Sequence, residues 1–218
     1  MSTLALTGVR SVVLLGAHPD DIEIACGGTL LALAAANPGL AVRYVLLSGT
    51  AERQAEARSA AVAFLPDAQV DFVVHGLPDG RLPEHWGEVK RLLHDAADGP
   101  SPDLVVSPWA GDAHQDHRLV GELAPTVWRG VLALQYEIPK WDGDLGRPNL
   151  YVPLTPERAR RKVELLGKHF PSQHQRSWWD DEVFLGLARL RGVECGARYA
   201  EAFHSNKTVL TIDPGGVG

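Results

Sequence analysis

Two short segments of this 218-residue chain carry side chains suited to metal-assisted chemistry. The first is Gly16-Ala17-His18-Pro19-Asp20-Asp21, directly after the apolar run Val12-Val13-Leu14-Leu15. The second, far along the chain, is His114-Gln115-Asp116-His117. A catalytic zinc takes about three protein ligands, usually imidazole nitrogens and carboxylate oxygens, and keeps a position open for a water whose pKa falls to roughly 7. Two imidazoles and one carboxylate meet that requirement. A further carboxylate can accept the water's proton, and a further imidazole can donate to the oxygen of a polarised carbonyl. The two segments together hold such a set and read as a zinc hydrolase site.

His18 and Asp21, three apart after a buried strand, can reach a common point from one tight turn. The competing reading is an Asp-capped helix start with Pro in the first turn and a surface histidine, which leaves His117 without a role. Asp20 need not point the same way as Asp21, so one carboxylate can bind metal while the other holds the attacking water. Asp20 is the general base in this reading, ionised at an ordinary carboxylate pKa of about 4. His114 and His117, at i and i+3, are either two ligands or one ligand and one acid or oxyanion donor, and the spacing leaves both open. Asp116 between them is an orienting carboxylate that fixes an imidazole tautomer, or a solvent-exposed Asp.

The elements that must position these groups alternate. A continuous apolar run over 12–17 predicts a central strand covered on both faces. A helix over 30–36 follows Gly27-Gly28-Thr29 and closes at Asn37-Pro38-Gly39; the glycines read as backbone clearance at a crowded metal turn. Strands over 42–47, 70–74 and 102–108 alternate with helices over 52–64 and 88–97, and the last of these strands runs into a loop expected to carry His114 and His117. A strand over 132–138, a loop over 139–153, helices over 156–169 and 181–191, a short strand over 199–203 and a frayed tail over 213–218 complete the reading. This predicts an α/β, Rossmann-like, mainly parallel sheet with helices on both faces and the metal site at the carboxyl ends of the strands. A single domain spans 1–218, less regular from about 139.

Composition narrows the classes. The chain is 45% hydrophobic and 22% charged, which is globular usage, and its net charge of −6 with no long Lys/Arg stripe argues against a nucleic-acid partner. The richest basic stretch, 158–162, reads as the solvated face of a helix. Two cysteines make no disulfide framework, which points to a reducing, cytoplasmic setting. No stretch approaches the roughly 20 apolar residues of a membrane span. The partner is then a small molecule, with a homo-oligomer compatible.

Ala17-His18-Pro19-Asp20-Asp21, Gly27-Gly28-Thr29-Leu30 and His114-Gln115-Asp116-His117 resemble the LmbE/PIG-L family of zinc-dependent N-deacetylases, over most of the chain. The resemblance implies one Zn2+ per chain, or another divalent ion such as Fe2+, on His18, Asp21 and His117, with Asp20 as general base and His114 as donor to the tetrahedral intermediate. It implies removal of an acetyl group from an N-acetylated amino sugar or glycoconjugate, releasing acetate and a free amine. Arg53, in an Arg-x-x-Glu with Glu56, and Asp79, in Leu77-Pro78-Asp79-Gly80, match positions implied to touch the sugar; the competing readings are a surface i, i+3 pair and a routine turn. Where most members have Glu directly after the second Asp, this chain has Ile22 and then Glu23, either a support for the site or helix-face polarity. A late Ser172-Gln173 matches a family element that lines the pocket. Hydrolysis of another amide, an imide or an ester, or a catalytically silent metal- or carbohydrate-binding protein, remain the alternatives.

Overall fold

A computed structural model gives the architecture and describes residues 3–209; the expected tail over 213–218 lies outside them. In chain order the main elements are β1 (Ser11–Gly16), α1 (Asp21–Ala36), β2 (Ala41–Ser48), α2 (Ala51–Phe64), β3 (Gln69–Leu77), α3 (Trp86–Ala96), β4 (Leu104–Pro108), α4 (Gln115–Val127), β5 (Leu132–Tyr136), β6 (Leu150–Leu154), α5 (Pro156–His169), α6 (Asp181–Cys195) and β7 (Tyr199–His204). The described residues form one seven-stranded sheet ordered β3-β2-β1-β4-β5-β7-β6. The first five of those strands pair in parallel, and β7 joins β5 and β6 antiparallel.

The run at β1 is buried on both sides because side chains alternate across a strand. Val12 and Leu14 pack with Ile22, Phe64, Leu166 and Phe170 on the face that carries α1, α2, α5 and α6. Val13 and Leu15 pack with Val89, Leu93, Val120 and Leu123 of α3 and α4 on the other. Chain direction splits at β1: the path goes outward to β2 and β3, then returns to lay β4 on its other side. In open α/β sheets ligands gather at that switch point, beyond the carboxyl ends of the strands. His18 follows β1 and His114 follows β4, so the sheet order alone brings the two segments together.

Four expectations need correction. His117 lies in the first turn of α4, with His114 as its N-cap, rather than in a loop. Pro125 disguises this helix, since proline removes an i→i−4 donor; the carbonyl of Gly121 left without that donor accepts the side-chain amide of Gln135 at 2.7 Å. The expected loop over 139–153 ends in β6, where Pro153 is tolerated because β6 is the sheet's edge. Lys162 is not on a solvated face: it is buried, with Nζ 2.6 Å from Glu201 Oε1. The glycines Gly27 and Gly28 clear no metal turn; a Cβ there would strike the Phe64 ring, and Leu154 with Glu201.

That last contact explains a break in α1. Cys26 has φ −135° and ψ 22°, which ends one helical turn and starts another. The new start is capped by Glu201 of β7, whose carboxylate accepts the N–H of Gly28 at 2.9 Å and the N–H and hydroxyl of Thr29, both at 2.6 Å. Among the described residues Cys26 and Cys195 are both free, and no helix is long and apolar enough to cross a membrane.

Candidate active site

The turn after β1 is held from several sides. The carbonyl of Ala17 accepts the N–H and the hydroxyl of Ser48, at 3.1 and 2.6 Å, and the carbonyl of Leu15 accepts the Tyr136 hydroxyl at 2.7 Å. Gly49 packs under Pro19 at φ +115°, a conformation and a clearance that exclude a side chain. The backbone N–H of His18 donates to Asp21 Oδ2 at 2.8 Å, which folds the Asp21 carboxylate back toward the His18 ring.

From opposite sides of the switch point, His18 Nδ1 and His117 Nε2 approach to 3.1 Å. Asp21 completes the triangle, with Oδ1 3.3 Å from His117 Nε2 and Oδ2 3.6 Å from His18 Nδ1. The outward nitrogen of each ring rests on a carboxylate. His18 Nε2 is 3.2 Å from Asp116 Oδ2 and 3.0 Å from Asp79 Oδ1, and His117 Nδ1 is 3.0 Å from Asp112 Oδ2. Asp116 therefore faces His18 and not a histidine of its own motif. It also accepts the N–H groups of Gly80 and Leu82, at 2.8 and 3.0 Å, which anchors the segment that holds Asp79 over His18.

His114 stands beside both rings, with centroids 4.8 Å from His18 and 4.6 Å from His117. Its Nδ1 accepts the backbone N–H of Asp116 at 3.2 Å. His18, His114 and His117 offer ligand atoms close enough to share an ion, as do His18, Asp79 and Asp116.

Asp20 has φ +133°, a region non-glycine residues rarely adopt, at a typical cost of about 1–3 kcal/mol. Arg53 of α2 holds it there: Nη2 donates to Asp20 Oδ1 and to the carbonyl of Pro19, both at 3.0 Å, and Nη1 is 3.8 Å from Asp79. Arg53 thus faces the turn after β1 and not Glu56, which instead accepts the N–H and hydroxyl of Ser172 at 2.9 and 2.6 Å. Gln173 beside it is buried. Trp178 and Trp179 pack against the α1/α5 core, and Trp141 is exposed.

Burial opposes charge on both inner imidazoles, yet their carboxylates outweigh it. Asp21, with Asp116 and Asp79, raises His18 well above its ordinary value, and Asp21 with Asp112 lifts His117 to about 9. The same pairing overcomes burial at Asp21 and holds it well below the carboxylate range. Asp20 departs from the ordinary value expected of it: burial lifts it to about 7, with Arg53 pulling down and Asp21 pushing up. Burial, then the neighbouring His117 and His18, lower His114. Glu23 is fully buried against the Tyr44 hydroxyl, 2.8 Å away, and burial pushes its carboxyl to about 8.

Asp112 was not among the candidates. Its signal is its place two residues before His114, in the loop that follows β4, where a carboxylate can turn back onto the next helix.

Residues 13–128 match the family model described as PIG-L, GlcNAc-PI de-N-acetylase, and they span β1 to the end of α4, including both histidine segments. The uncharacterized deacetylase YaiS of Escherichia coli strain K12 is 26% identical over 175 residues, covering 73% of this chain and 90% of its own. Among solved structures, the conserved protein TT1542 of Thermus thermophilus superposes with a TM-score of 0.71 at 24% identity, over 97% of this chain and 100% of its own. The N,N'-diacetylchitobiose deacetylase of Pyrococcus horikoshii gives 0.69 at 22%, over 90% of this chain and 84% of its own. GalB, the 4-carboxy-2-hydroxymuconate hydratase of Pseudomonas putida KT2440, gives 0.71 at 19%, over 94% and 99%, so one fold serves different chemistries. On the family match, which takes in more than half of its length, the chain belongs to the GlcNAc-PI de-N-acetylase (PIG-L) family of deacetylases.

Proposed function

We propose that this protein is a zinc-dependent N-deacetylase that cleaves the acetamide of an N-acetylated amino sugar or its conjugate. The observation that carries the reading is the approach of His18 Nδ1 to His117 Nε2 at 3.1 Å with the Asp21 carboxylate set across both, Oδ1 3.3 Å from His117 Nε2 and Oδ2 3.6 Å from His18 Nδ1. Donors about 2.1 Å from a tetrahedral zinc lie roughly 3.3 Å apart, so the three groups fit one ion with a corner left over. Each imidazole also has a carboxylate on its far nitrogen, the arrangement that turns a lone pair inward. Zinc held there would supply a Lewis acid for the acetyl oxygen and an acidified water.

Asp20 takes the proton from the attacking water and returns it to the nitrogen as the C–N bond breaks, leaving acetate and a free amine. His114 donates from Nε2 to the carbonyl oxygen as it becomes an oxyanion. Arg53 holds Asp20 in place, and Asp79, exposed at the rim 3.0 Å from His18, is available to sugar hydroxyls.

Zinc-loaded protein is assayed for acetate release across N-acetylglucosamine, its glycosides and nucleotide and lipid conjugates, and non-sugar acetamides. The reading predicts release from the amino sugars, lost on chelation and restored by zinc. A zinc-replete protein that leaves every N-acetylated sugar intact overturns it.

A further inference from the structure

Behind His117 lies a tier of buried charge that the proposed reaction does not use. Asp112 presents Oδ2 to His117 Nδ1 at 3.0 Å, while its Oδ1 accepts the backbone N–H of His114 at 2.7 Å. That Oδ1 is also 3.0 Å from Nζ of Lys140, whose side chain is only 10% exposed. Lys140 Nζ meets both oxygens of Asp144, at 2.8 and 2.7 Å, and Asp144 Oδ2 accepts the N–H of Ala113 at 2.6 Å. Lys140 and Asp144, from the connection between β5 and β6, are thereby tied to the turn that delivers Asp112, His114 and His117.

We propose that Lys140 is a positioning residue for the metal centre, acting through Asp112 on His117; the inference rests on the metal-site reading above. A ligating imidazole is neutral, with its proton on the nitrogen away from the metal, so Asp112 Oδ2 must stay on His117 Nδ1. A neutral His117 leaves the Asp112 charge without a cation on that side, and a buried carboxylate needs one. Lys140 is that cation. It also separates two acids, since Asp112 and Asp144 both contact the one nitrogen. Without it the two carboxylates face each other across a buried gap, and their repulsion swings Asp112 off the His117 ring. The segment carrying Asp144 then loosens from Ala113, and the proton on His117 is no longer held to Nδ1.

The test measures zinc dissociation constants for the full chain, K140M, K140R, D112N and K140M/D112N by competition with a chromophoric chelator. Circular dichroism of the metal-free proteins establishes the fold. K140M is expected to weaken zinc binding by about 10–100-fold, the scale for losing a group that orients a ligand, and K140R by much less. The double variant is expected to bind no worse than D112N alone, because residues acting in series do not add. Parent-like affinity in K140M, or losses that add in the double variant, overturns the inference. Should K140M not fold, K140Q replaces it, with the same expected loss and the same overturning result. A parent chain that binds no zinc removes the metal-site reading as well, whereas a zinc-binding parent matched by K140M removes only the role of Lys140.

Discussion

His114 Nδ1 accepts the backbone N–H of Asp116 at 3.2 Å, so the helix cap fixes the tautomer of a neutral His114 with its proton on Nε2. Burial and the flanking His117 and His18 lower its pKa, which keeps the ring neutral while Nε2–H remains a donor. His114→Ala is expected to lower kcat by about 10²–10³-fold with KM little changed, the scale for one lost oxyanion donor. Because the donor is neutral, its contribution should not titrate away as pH rises through about 6 to 7, the ordinary range for imidazole, so the ratio of parent to His114→Ala kcat should stay constant there. A His114-dependent fall of kcat across that range in the pH–rate profile counts against this role.

Asp20→Asn keeps the size and shape of the side chain and removes the base. Zinc content by elemental analysis should match the parent, with turnover lower by about 10²-fold or more. Retained turnover would assign the proton transfer elsewhere.

The lift of His117 to about 9 has a direct consequence for metal uptake. Near pH 7 the metal-free His117 ring carries a proton that zinc must expel, and His18, raised as well, holds its own, so affinity rises with pH through neutrality. Calorimetry in buffers of different ionisation enthalpy should register proton release on binding near pH 7. A zinc affinity constant from about pH 6 to 8 contradicts the site's protonation.

Lys162 and Glu201 pair inside the core at 2.6 Å, and the same carboxylate caps the second half of α1. Lys162→Met leaves the buried Glu201 carboxylate its helix-cap hydrogen bonds but no counter-ion and should cost about 3–5 kcal/mol in urea unfolding, with part recovered in K162M/E201Q, where the charge is also gone. A K162M protein as stable as the parent would mean the pair contributes no net stability.

Glu23 is neutral in the folded chain below about 8, against 4.5 for the ordinary side chain. Its raised pKa favours the fold fully below the lower value, and that contribution disappears as pH rises through the upper one. The stability of the metal-free protein should therefore fall as pH rises from about 5 to about 8, and E23Q should flatten that slope. An unchanged slope in E23Q would place the proton uptake on another group.

How much of this was legible in the sequence depended on whether the signal was local. The 12–17 run, the strand–helix alternation and the histidine segments are local patterns, and each maps onto β1, the parallel sheet and the switch point. The helix α4 as a whole was missed because Pro125 breaks its pattern and Gln135 of β5 takes up the carbonyl that proline leaves unpaired. Edge position, which lets β6 carry Pro153, is likewise absent from a linear reading.

The sequence by itself determined that two separated segments hold imidazoles and carboxylates of the right kinds, and that buried parallel strands would end beside them. Periodicity and residue chemistry are properties of neighbours along the chain. Only the tertiary structure decided who faces whom: Asp116 on His18, Asp112 on His117, Arg53 on Asp20 and Lys140 on Asp112. Those pairings depend on sheet order and on burial, which desolvates each charge and so fixes its partner; neither can be read from spacing.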